Sequence, residues 1–282
     1  MASVEKTGII LAAYGSLDSQ ARWTYEKIKS AYEEAFPGTS VVLAFTSDII
    51  RRRLSEEQEI FFHNPSTALA ELQDLRCRNV VVQSLQIVPG SEFHKAAILV
   101  NRLLNDREKS GFRNIVIGMP LLACLEDCIK VSKTFRPVFQ TTKFEGLDRE
   151  IPANLEDVAF VLMGHGTNHP ADSVYSLMAR ILEKDHRNVF LGTLEGFPGI
   201  DDLLRQAKRS GVEKVILMPF LIVAGGHALE DLAGDSANSW KSVFESEGFG
   251  TEVDLKGLGE NDDVVKIFVE HTRKAAEFFE GK

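Results

Sequence analysis

An internal repeat constrains the fold of this chain more than any other feature of its sequence. Residues 8–16 form an apolar run that ends in a glycine-flanked polar segment, and residues 159–167 repeat that pattern. A second apolar run, residues 80–92, is repeated in the same way by residues 215–227. Because both pairs keep the same order along the chain, the sequence predicts two similar halves built on one scaffold.

The two halves differ in the polar residue that follows each repeated apolar run. The first half has Tyr14 and Glu92 at these positions, whereas the second half has His165 and His227. Glycines flank His165 on both sides and immediately precede His227, so the backbone can turn sharply there and leave the rings open to a ligand. Two histidines at matching strand exits indicate a site that the first half does not share.

A metal site is the function that these residue types predict. Glu195 lies just past a predicted strand between the two histidines, and Asp48 is its counterpart in the first half. Two imidazoles and one carboxylate suit borderline divalent ions such as Co²⁺, Ni²⁺, Fe²⁺ and Zn²⁺. Such a set leaves coordination positions open, as a catalytic or transfer site requires. The residues alone also leave open a structural role, in which the histidines only cap strands.

The alternation of apolar runs with helical segments predicts an α/β protein. Continuous apolar runs, such as residues 7–13 and 158–163, are typical of strands buried on both faces of a parallel sheet. We therefore expect two similar lobes, each a parallel sheet flanked by helices. The 282 residues suffice for two domains, with an N-terminal lobe at 1–140, a polar linker at 141–156 and a C-terminal lobe at 157–282.

In such sheets ligands bind beyond the carboxyl ends of the strands, and the candidate residues fall at these ends. The candidates for substrate binding are Tyr14, Asp48, Gly90, Ser91, Glu92, Gly225 and Gly226. The candidates for catalysis and metal binding are His165, Glu195 and His227. Gly90-Ser91 and Gly225-Gly226 each precede a predicted helix, whose N-terminus can bind an anion.

The remaining histidines and the arginine run are secondary candidates. His94 lies beside the same edge and is the one position that we would test for heme, a cofactor that we do not expect. His169 is expected near His165 but outside the ligand set, and His63, His186 and His271 are predicted at the surface. The run of arginines at 51–53 is expected to be a solvated patch or, beside a cleft, to contact acidic side chains of a substrate.

Charge and composition exclude several classes of function. The formal net charge of −9 argues against nucleic acid as a partner, because phosphate binding requires a basic surface. No apolar run reaches the roughly 18–20 residues that span a bilayer, so we expect a cytoplasmic protein without a membrane partner. No nucleotide-binding glycine motif is present. The cysteines, Cys77, Cys124 and Cys128, cannot form a disulfide framework and are predicted to be buried.

Four segments together resemble the anaerobic cobalt chelatases, the sirohydrochlorin cobaltochelatases of cobalamin synthesis. These segments are residues 12–16 (AAYGS), 164–172 (GHGTNHPAD), 194–198 (LEGFP) and 219–231. The family belongs to the ATP-independent chelatases, which are related to protoporphyrin ferrochelatase. The resemblance extends over essentially the whole chain, and the combination of segments is specific where any single one is not.

The resemblance implies a bilobal fold that holds a tetrapyrrole between its lobes, with His165, Glu195 and His227 as metal ligands. It implies insertion of Co²⁺ into sirohydrochlorin, or its oxidised precorrin-2 form, without a nucleotide. Insertion requires loss of the pyrrole N–H protons, and a neutral imidazole, with an unperturbed pKa of about 6.5, can hold the metal or accept a proton. Glu195 would orient the metal or a proton-relay water, while Tyr14 and Glu92 would contact the ring.

Several alternatives stay open at this point. The metal could instead be nickel or iron, since ligands of this type do not select among them. The protein could also be a non-catalytic bilobal carrier of metal or tetrapyrrole. The sequence does not determine whether it forms a homo-oligomer, although the apolar face of the last predicted helix, 261–280, is expected to pack on the chain's own core.

Overall fold

The computed structural model describes residues 5–105, 111–141 and 157–279. Within these ranges, eight strands follow one another in the order that the repeat predicts. They are β1 (Thr7–Ala13), β2 (Ser40–Phe45), β3 (Asn79–Ser84), β4 (Asn114–Gly118), β5 (Val158–Gly164), β6 (Val189–Thr193), β7 (Lys214–Pro219) and β8 (Gly250–Val253). Strands β1, β3, β5 and β7 are buried along almost their whole length, which explains why their sequences are continuous apolar runs.

Helices separate most of the strands. They are α1 (Ser19–Ala35), α2 (Asp48–Gln58), α3 (Pro65–Asp74), α4 (Ser91–Asn105), α5 (Leu125–Thr141), α6 (Ser173–Asp185), α7 (Ile200–Ser210), α8 (Gly226–Ala233), α9 (Trp240–Ser246) and α10 (Asp262–Ala276). Short 3₁₀ turns precede α6 and α10 and follow α10. Helix α1 begins where the Asp18 side chain accepts a hydrogen bond from the Ala21 amide, a stabilising N-cap.

The strands form two parallel four-stranded sheets with the same topology. The first has the order β2-β1-β3-β4 and the second the order β6-β5-β7-β8. Every pairing is parallel, so each sheet gathers the carboxyl ends of its strands at one edge. The predicted fold class, two similar α/β lobes with parallel sheets flanked by helices, is confirmed.

The chain divides into two compact units, and these units are not simply its first and second halves. Unit 1 comprises Met1–Ala123 and Asp262–Lys282, and unit 2 comprises Cys124–Asn261. Helix α5 therefore belongs to unit 2 and helix α10 to unit 1, whereas the sequence boundaries at 140 and 157 assign each to the other lobe. Of the predicted linker, 141–156, only Thr141 lies within the described residues, where it ends α5.

Helix α10 is held in unit 1 by apolar packing and by a chain of buried hydrogen bonds. Its residues Val264, Phe268 and Ala275 are buried, as expected from its apolar face. The Thr272 hydroxyl pairs with Tyr32 Oη at 3.1 Å and donates to Gln83 Oε1 at 2.8 Å.

Two details of the sequence interpretation are wrong. His271, predicted at the surface, is buried with Nδ1 at 3.1 Å from the Met119 carbonyl oxygen, because α10 turns that side into unit 1. Cys124 is exposed rather than buried. The charged segment after Asp48, for which the sequence pattern predicts no element, is a regular helix, α2.

In the part of the chain that the structure describes, no helix combines the length and the apolar character needed to cross a bilayer.

Candidate metal centre

His165 is the first residue after the buried strand β5, at the carboxyl edge of the unit 2 sheet. Its side chain is 61% exposed, although the whole strand before it is buried apart from its first residue. The next residue, Gly166, has a φ of +81°, a conformation that favours glycine. The turn therefore ends the strand abruptly and presents the imidazole to solvent.

Glu195 is brought beside His165 because the two loops continue the hydrogen bonding of their strands. The Leu194 amide donates to the Gly164 carbonyl at 3.0 Å, and the Glu195 amide donates to the His165 carbonyl at 2.9 Å. Glu195 Oε2 consequently lies 3.8 Å from His165 Nδ1, and the Glu195 side chain is 60% exposed. The sequence prediction that these two residues meet at one sheet edge agrees with this geometry.

The close approach of the two loops depends on the absence of a side chain at Gly166. A Cβ atom there would lie 2.6 Å from the Gly196 amide nitrogen and 3.1 Å from the Glu195 carbonyl carbon. Both distances are shorter than ordinary van der Waals contact. Any other residue would therefore separate His165 from Glu195.

The carboxylate of Asp172 joins the same two loops. Its Oδ1 accepts a hydrogen bond from the Thr167 amide at 3.0 Å, and its Oδ2 accepts one from the Phe197 amide at 2.9 Å. Asp172 lies in the histidine-containing segment of the sequence, but no role was predicted for it. Its partners are backbone N–H groups, which have no sequence signature.

Tyr175 packs beneath the His165 turn. It is buried and hydrogen-bonded to the backbone of Gly166. Burial raises the pKa of its phenol far above the ordinary value, and the negative charge of Asp172 adds to that effect. Tyr175 therefore stays neutral and supports the turn as a hydrogen-bonding group.

The surroundings of His165 Nδ1 favour one tautomer of the ring. Nδ1 lies 3.2 Å from the Gly166 carbonyl oxygen and faces the Glu195 carboxylate at 3.8 Å. Both neighbours can only accept hydrogen bonds, so a neutral ring carries its proton on Nδ1. Nε2 then keeps the lone pair that a metal ion requires, in the arrangement typical of metal-binding histidines.

The predicted third ligand, His227, is the second residue of α8, and its side chain lies outside the described residues. Glu92 is likewise the second residue of α4, so the backbone preserves the correspondence between the repeats. Among the side chains that the structure describes, no group of three or more histidine, cysteine, aspartate or glutamate residues could hold a metal ion. His165 and Glu195 form a pair within that part.

The corresponding edge of unit 1 carries a charged cluster at the positions that match His165 and His227. Tyr14 directly follows β1 and is 51% exposed. Lys95 Nζ donates to Glu92 Oε1 at 2.6 Å, and this bond raises the pKa of the Lys95 ammonium, with smaller contributions from Tyr14 and Asp48. These four groups are therefore close enough to interact. Lys95 was not predicted, because one lysine on a helix has no distinctive pattern.

Asp48 also lines a cavity of about 430 Å³ with part of the arginine run and two aromatic residues. The lining residues are Asp48, Ile49, Arg51, Arg52, Ser55, Phe61 and Phe62. Asp48 pairs with the Arg51 guanidinium, and the Arg51 Nε atom is buried with no hydrogen-bond partner among the described residues. Phe61 is 81% exposed. The cavity thus combines cationic donors with an aromatic wall.

The remaining predicted residues lie at the starts of two helices. Gly90 precedes α4 and Ser91 begins it, while Gly225 precedes α8 and Gly226 begins it. A Cβ atom at Gly226 would meet nothing within 4 Å, so the space around it is open. His94 is exposed on α4, next to Phe93, with the two rings 5.9 Å apart.

Comparison with known sequences identifies the family. The cobalt chelatase (CbiK) family profile matches residues 7–277. A sirohydrochlorin cobaltochelatase, CbiKC, from Nitratidesulfovibrio vulgaris is 35% identical over 274 residues, covering 96% of this chain and 90% of the relative. The chain belongs to the cobalt chelatase family. The sirohydrochlorin cobaltochelatase of Salmonella typhimurium is 30% identical over 239 residues, covering 85% and 84% of the two chains.

Solved structures place this cobalt chelatase in the chelatase fold. SirB from Bacillus subtilis with Fe³⁺ has a TM-score of 0.65 at 15% identity, with 98% of each chain covered. The sirohydrochlorin chelatase SirB in complex with cobalt has a TM-score of 0.63 at 14% identity, with the same coverage. At this identity the similarity concerns the fold, and it agrees with the two matching parallel sheets.

Proposed function

We propose that this chelatase inserts Co²⁺ into sirohydrochlorin, or its oxidised precorrin-2 form, in anaerobic cobalamin synthesis and without a nucleotide. Its two curated relatives are named for sirohydrochlorin and cobalt. The observation that carries the proposal is the exposed pair of His165 Nδ1 and Glu195 Oε2, 3.8 Å apart at the carboxyl edge of a parallel sheet. Ligands bind at such edges in α/β proteins.

His165, Glu195 and His227 are the proposed metal ligands. An imidazole nitrogen and a carboxylate suit borderline ions such as Co²⁺, and the orientation of His165 leaves Nε2 available. Because both described side chains are more than half exposed, an ion can reach them and leave again with the product. A fully enclosed site would instead retain its metal.

Insertion requires the ion to lose water and the macrocycle to lose pyrrole N–H protons. The proposed histidines hold the ion over the ring. As the ion passes to the ring nitrogens, the histidine nitrogen that it leaves becomes free and accepts one pyrrole proton, while the second proton goes to water. Glu195 adds negative charge beside His165, which stabilises both the bound cation and an imidazolium formed during proton transfer. No step in this sequence consumes a nucleotide.

Residues at strand ends and helix starts in both units are the proposed substrate contacts. Tyr14 and Glu92 contact the ring, and Asp48 lies at the arginine-lined cavity. Gly90, Ser91, Gly225 and Gly226 offer helix N-termini to the acidic side chains of the tetrapyrrole. Heme binding by His94 is not part of the proposal. The proposed location is the cytoplasm, and the proposed partners are the tetrapyrrole and the metal ion.

The proposal is tested by incubating the protein anaerobically with sirohydrochlorin and Co²⁺ and following the absorbance change against a protein-free control. We expect insertion by the wild-type protein and a loss of at least about 100-fold for His165→Ala, the scale of a lost acid–base group. His63→Ala is the matched control, because His63 pairs with Glu71 in unit 1 at 2.8 Å. It should leave the rate unchanged.

The same assay separates the alternatives. A carrier would bind Co²⁺ and sirohydrochlorin without accelerating insertion, and a structural protein would bind neither above background. Replacing Co²⁺ with Ni²⁺ or Fe²⁺ compares the metals. A His165→Ala variant that inserts cobalt at the wild-type rate would overturn the proposed ligand set.

A further inference from the structure

We infer that Asp172 is a positioning residue that fixes the separation of His165 and Glu195, and thereby the affinity of this pair for a divalent metal ion. The inference rests on the proposed function, because it assigns the support of the same metal site. Asp172 does not contact the ion in this scheme. It acts through the two loops that carry the ligands.

The symmetry of its contacts is the first argument. Thr167 follows His165 by two residues, and Phe197 follows Glu195 by two residues. The amide of each donates to a different oxygen of the same carboxylate, at 3.0 and 2.9 Å. One rigid planar group therefore sets the distance between the two loops at equivalent points.

The second argument is that Asp172 does not serve its own helix. It occupies the N-cap position of α6, yet its side chain makes no capping hydrogen bond there. Asp18 occupies the comparable position before α1 in unit 1, and its Oδ1 does cap that helix, accepting from the Ala21 amide at 2.8 Å. Asp172 differs from Asp18 in ending a 3₁₀ turn with a helical backbone, so its carboxylate does not cap α6 and is available to the two loops.

The third argument is the space reserved for the carboxylate. A Cβ atom at Gly196, the residue after Glu195, would overlap the Asp172 carboxylate. The loop thus has no side chain at the point where the carboxylate passes. Asparagine in place of Asp172 has almost the same shape but only one acceptor oxygen, so its amide group must face one of the two N–H donors. One of the two amides then loses its partner, and that loop is held beside the other only by the backbone bonds from Leu194 and Glu195.

The experiment titrates Co²⁺ anaerobically into the metal-free wild-type protein, Asp172→Asn, Asp172→Ser and the control Asp18→Asn. The visible absorption of bound Co²⁺ reports both its affinity and its coordination geometry. We expect both Asp172 variants to bind Co²⁺ about 10–100-fold more weakly, the usual effect of losing a group that orients metal ligands, with an altered spectrum. Asp18→Asn should keep the wild-type affinity and spectrum and also the thermal stability, because asparagine caps a helix about as well as aspartate.

Amide hydrogen exchange provides a measurement that does not depend on a variant folding. The Thr167 and Phe197 amides should be protected in the wild-type protein, and either amide exchanging freely would overturn the inference. Asp172→Asn with wild-type Co²⁺ affinity and spectrum would also overturn it. The titration contains no sirohydrochlorin and is therefore independent of the insertion assay. If the wild-type protein binds Co²⁺ in the titration but inserts none in the insertion assay, the proposed function is contradicted and this inference is not.

Discussion

The loops that follow β1 and β5 share one backbone design. Gly15 and Gly166, the second residue after each strand, have positive φ values of +100° and +81°. A buried tyrosine, Tyr25 or Tyr175, hydrogen-bonds to the backbone of each glycine, and burial raises the pKa of both phenols. The repeat therefore preserves the turn and its support, while the exposed residue before each glycine differs.

The two loops differ in the atoms that lie next to the glycine. A Cβ atom at Gly15 would lie 2.7 Å from the ring of Phe45, a buried core residue at the end of β2. A Cβ atom at Gly166 would instead meet the backbone of the loop that carries Glu195. The same turn thus packs on the core in unit 1 and on a second polar loop in unit 2. In unit 2 the polar loop next to the turn carries Glu195, and this neighbour turns the shared scaffold into a two-residue site.

Among the variants that test this difference between the loops, Gly166→Ala is expected to have the largest effect on stability and Co²⁺ affinity. The new Cβ would push the loops apart, and alanine at this φ costs about 1–2 kcal/mol. We expect the free energy of unfolding to fall by about that amount and Co²⁺ affinity to fall about 100-fold, the upper range for disturbed ligand support. Urea unfolding and Co²⁺ titration measure the two quantities.

Gly15→Ala is the matched variant in unit 1. It carries the same backbone cost and must displace the Phe45 ring, so a similar loss of stability is expected. Its Co²⁺ affinity should remain that of the wild-type protein, because no proposed ligand lies in that loop. If both variants lose the metal equally, the difference between the two loops does not determine metal binding.

The repeat made much of the fold predictable. The order of elements and the two matching parallel sheets follow from apolar runs that recur in the same order in both halves. The residues Tyr14, His165 and Glu195 were placed correctly at strand ends, because a buried parallel strand must emerge at one edge. These features could be predicted from local sequence patterns and the order of the strands alone.

Features that depend on distant partners were not predictable. The apolar face of α10 predicts that the helix packs on a core, but it does not predict that this core is in unit 1. For the same reason the burial of His271 was not predicted. Helix α2 was not recognised because its charged residues obscure the helical period. Asp172 binds backbone amides that lie 5 and 25 residues away in the chain, and backbone groups are the same in every sequence.

A second contrast concerns the strands β3 and β7, which occupy the same place in the two sheets. Gln83, near the end of β3, is fully buried and joined to Thr272 and Tyr32, whereas β7 has the apolar Met218 at this register. Thr272→Val should lower the free energy of unfolding by about 1–3 kcal/mol, because the buried Gln83 oxygen loses its donor. Urea unfolding measures this loss, and Co²⁺ affinity should not change.

A double-mutant cycle with Tyr32→Phe sharpens this second prediction. Because both hydroxyls belong to one hydrogen-bonded chain, removing both should cost less than the sum of the single losses. Strict additivity would mean that the two groups stabilise unit 1 independently.

The smallest expected effect, on the KM for sirohydrochlorin, concerns the ends of β2 and β6. Asp48 follows β2 in unit 1, and Glu195 is its counterpart after β6 in unit 2. In unit 1 this position opens the cavity lined by Arg51 and Arg52, which suits the acidic side chains of a tetrapyrrole. Arg52→Gln should raise the KM for sirohydrochlorin about fivefold, since one exposed charge pair is worth up to about 1 kcal/mol. Steady-state kinetics at saturating Co²⁺ measure it.

Arg53→Gln removes the same charge from the adjacent residue and is the control for Arg52→Gln. Arg53 is already paired with Glu57, with Nε at 2.7 Å and Nη2 at 3.2 Å from its carboxylate oxygens, and it does not line the cavity. Its replacement should leave the KM near the wild-type value. Equal increases for the two variants would mean that the substrate senses only the overall charge of α2. In that case the unit 1 edge attracts the tetrapyrrole without binding a carboxylate at a defined place, and the counterpart of Glu195 has no local role.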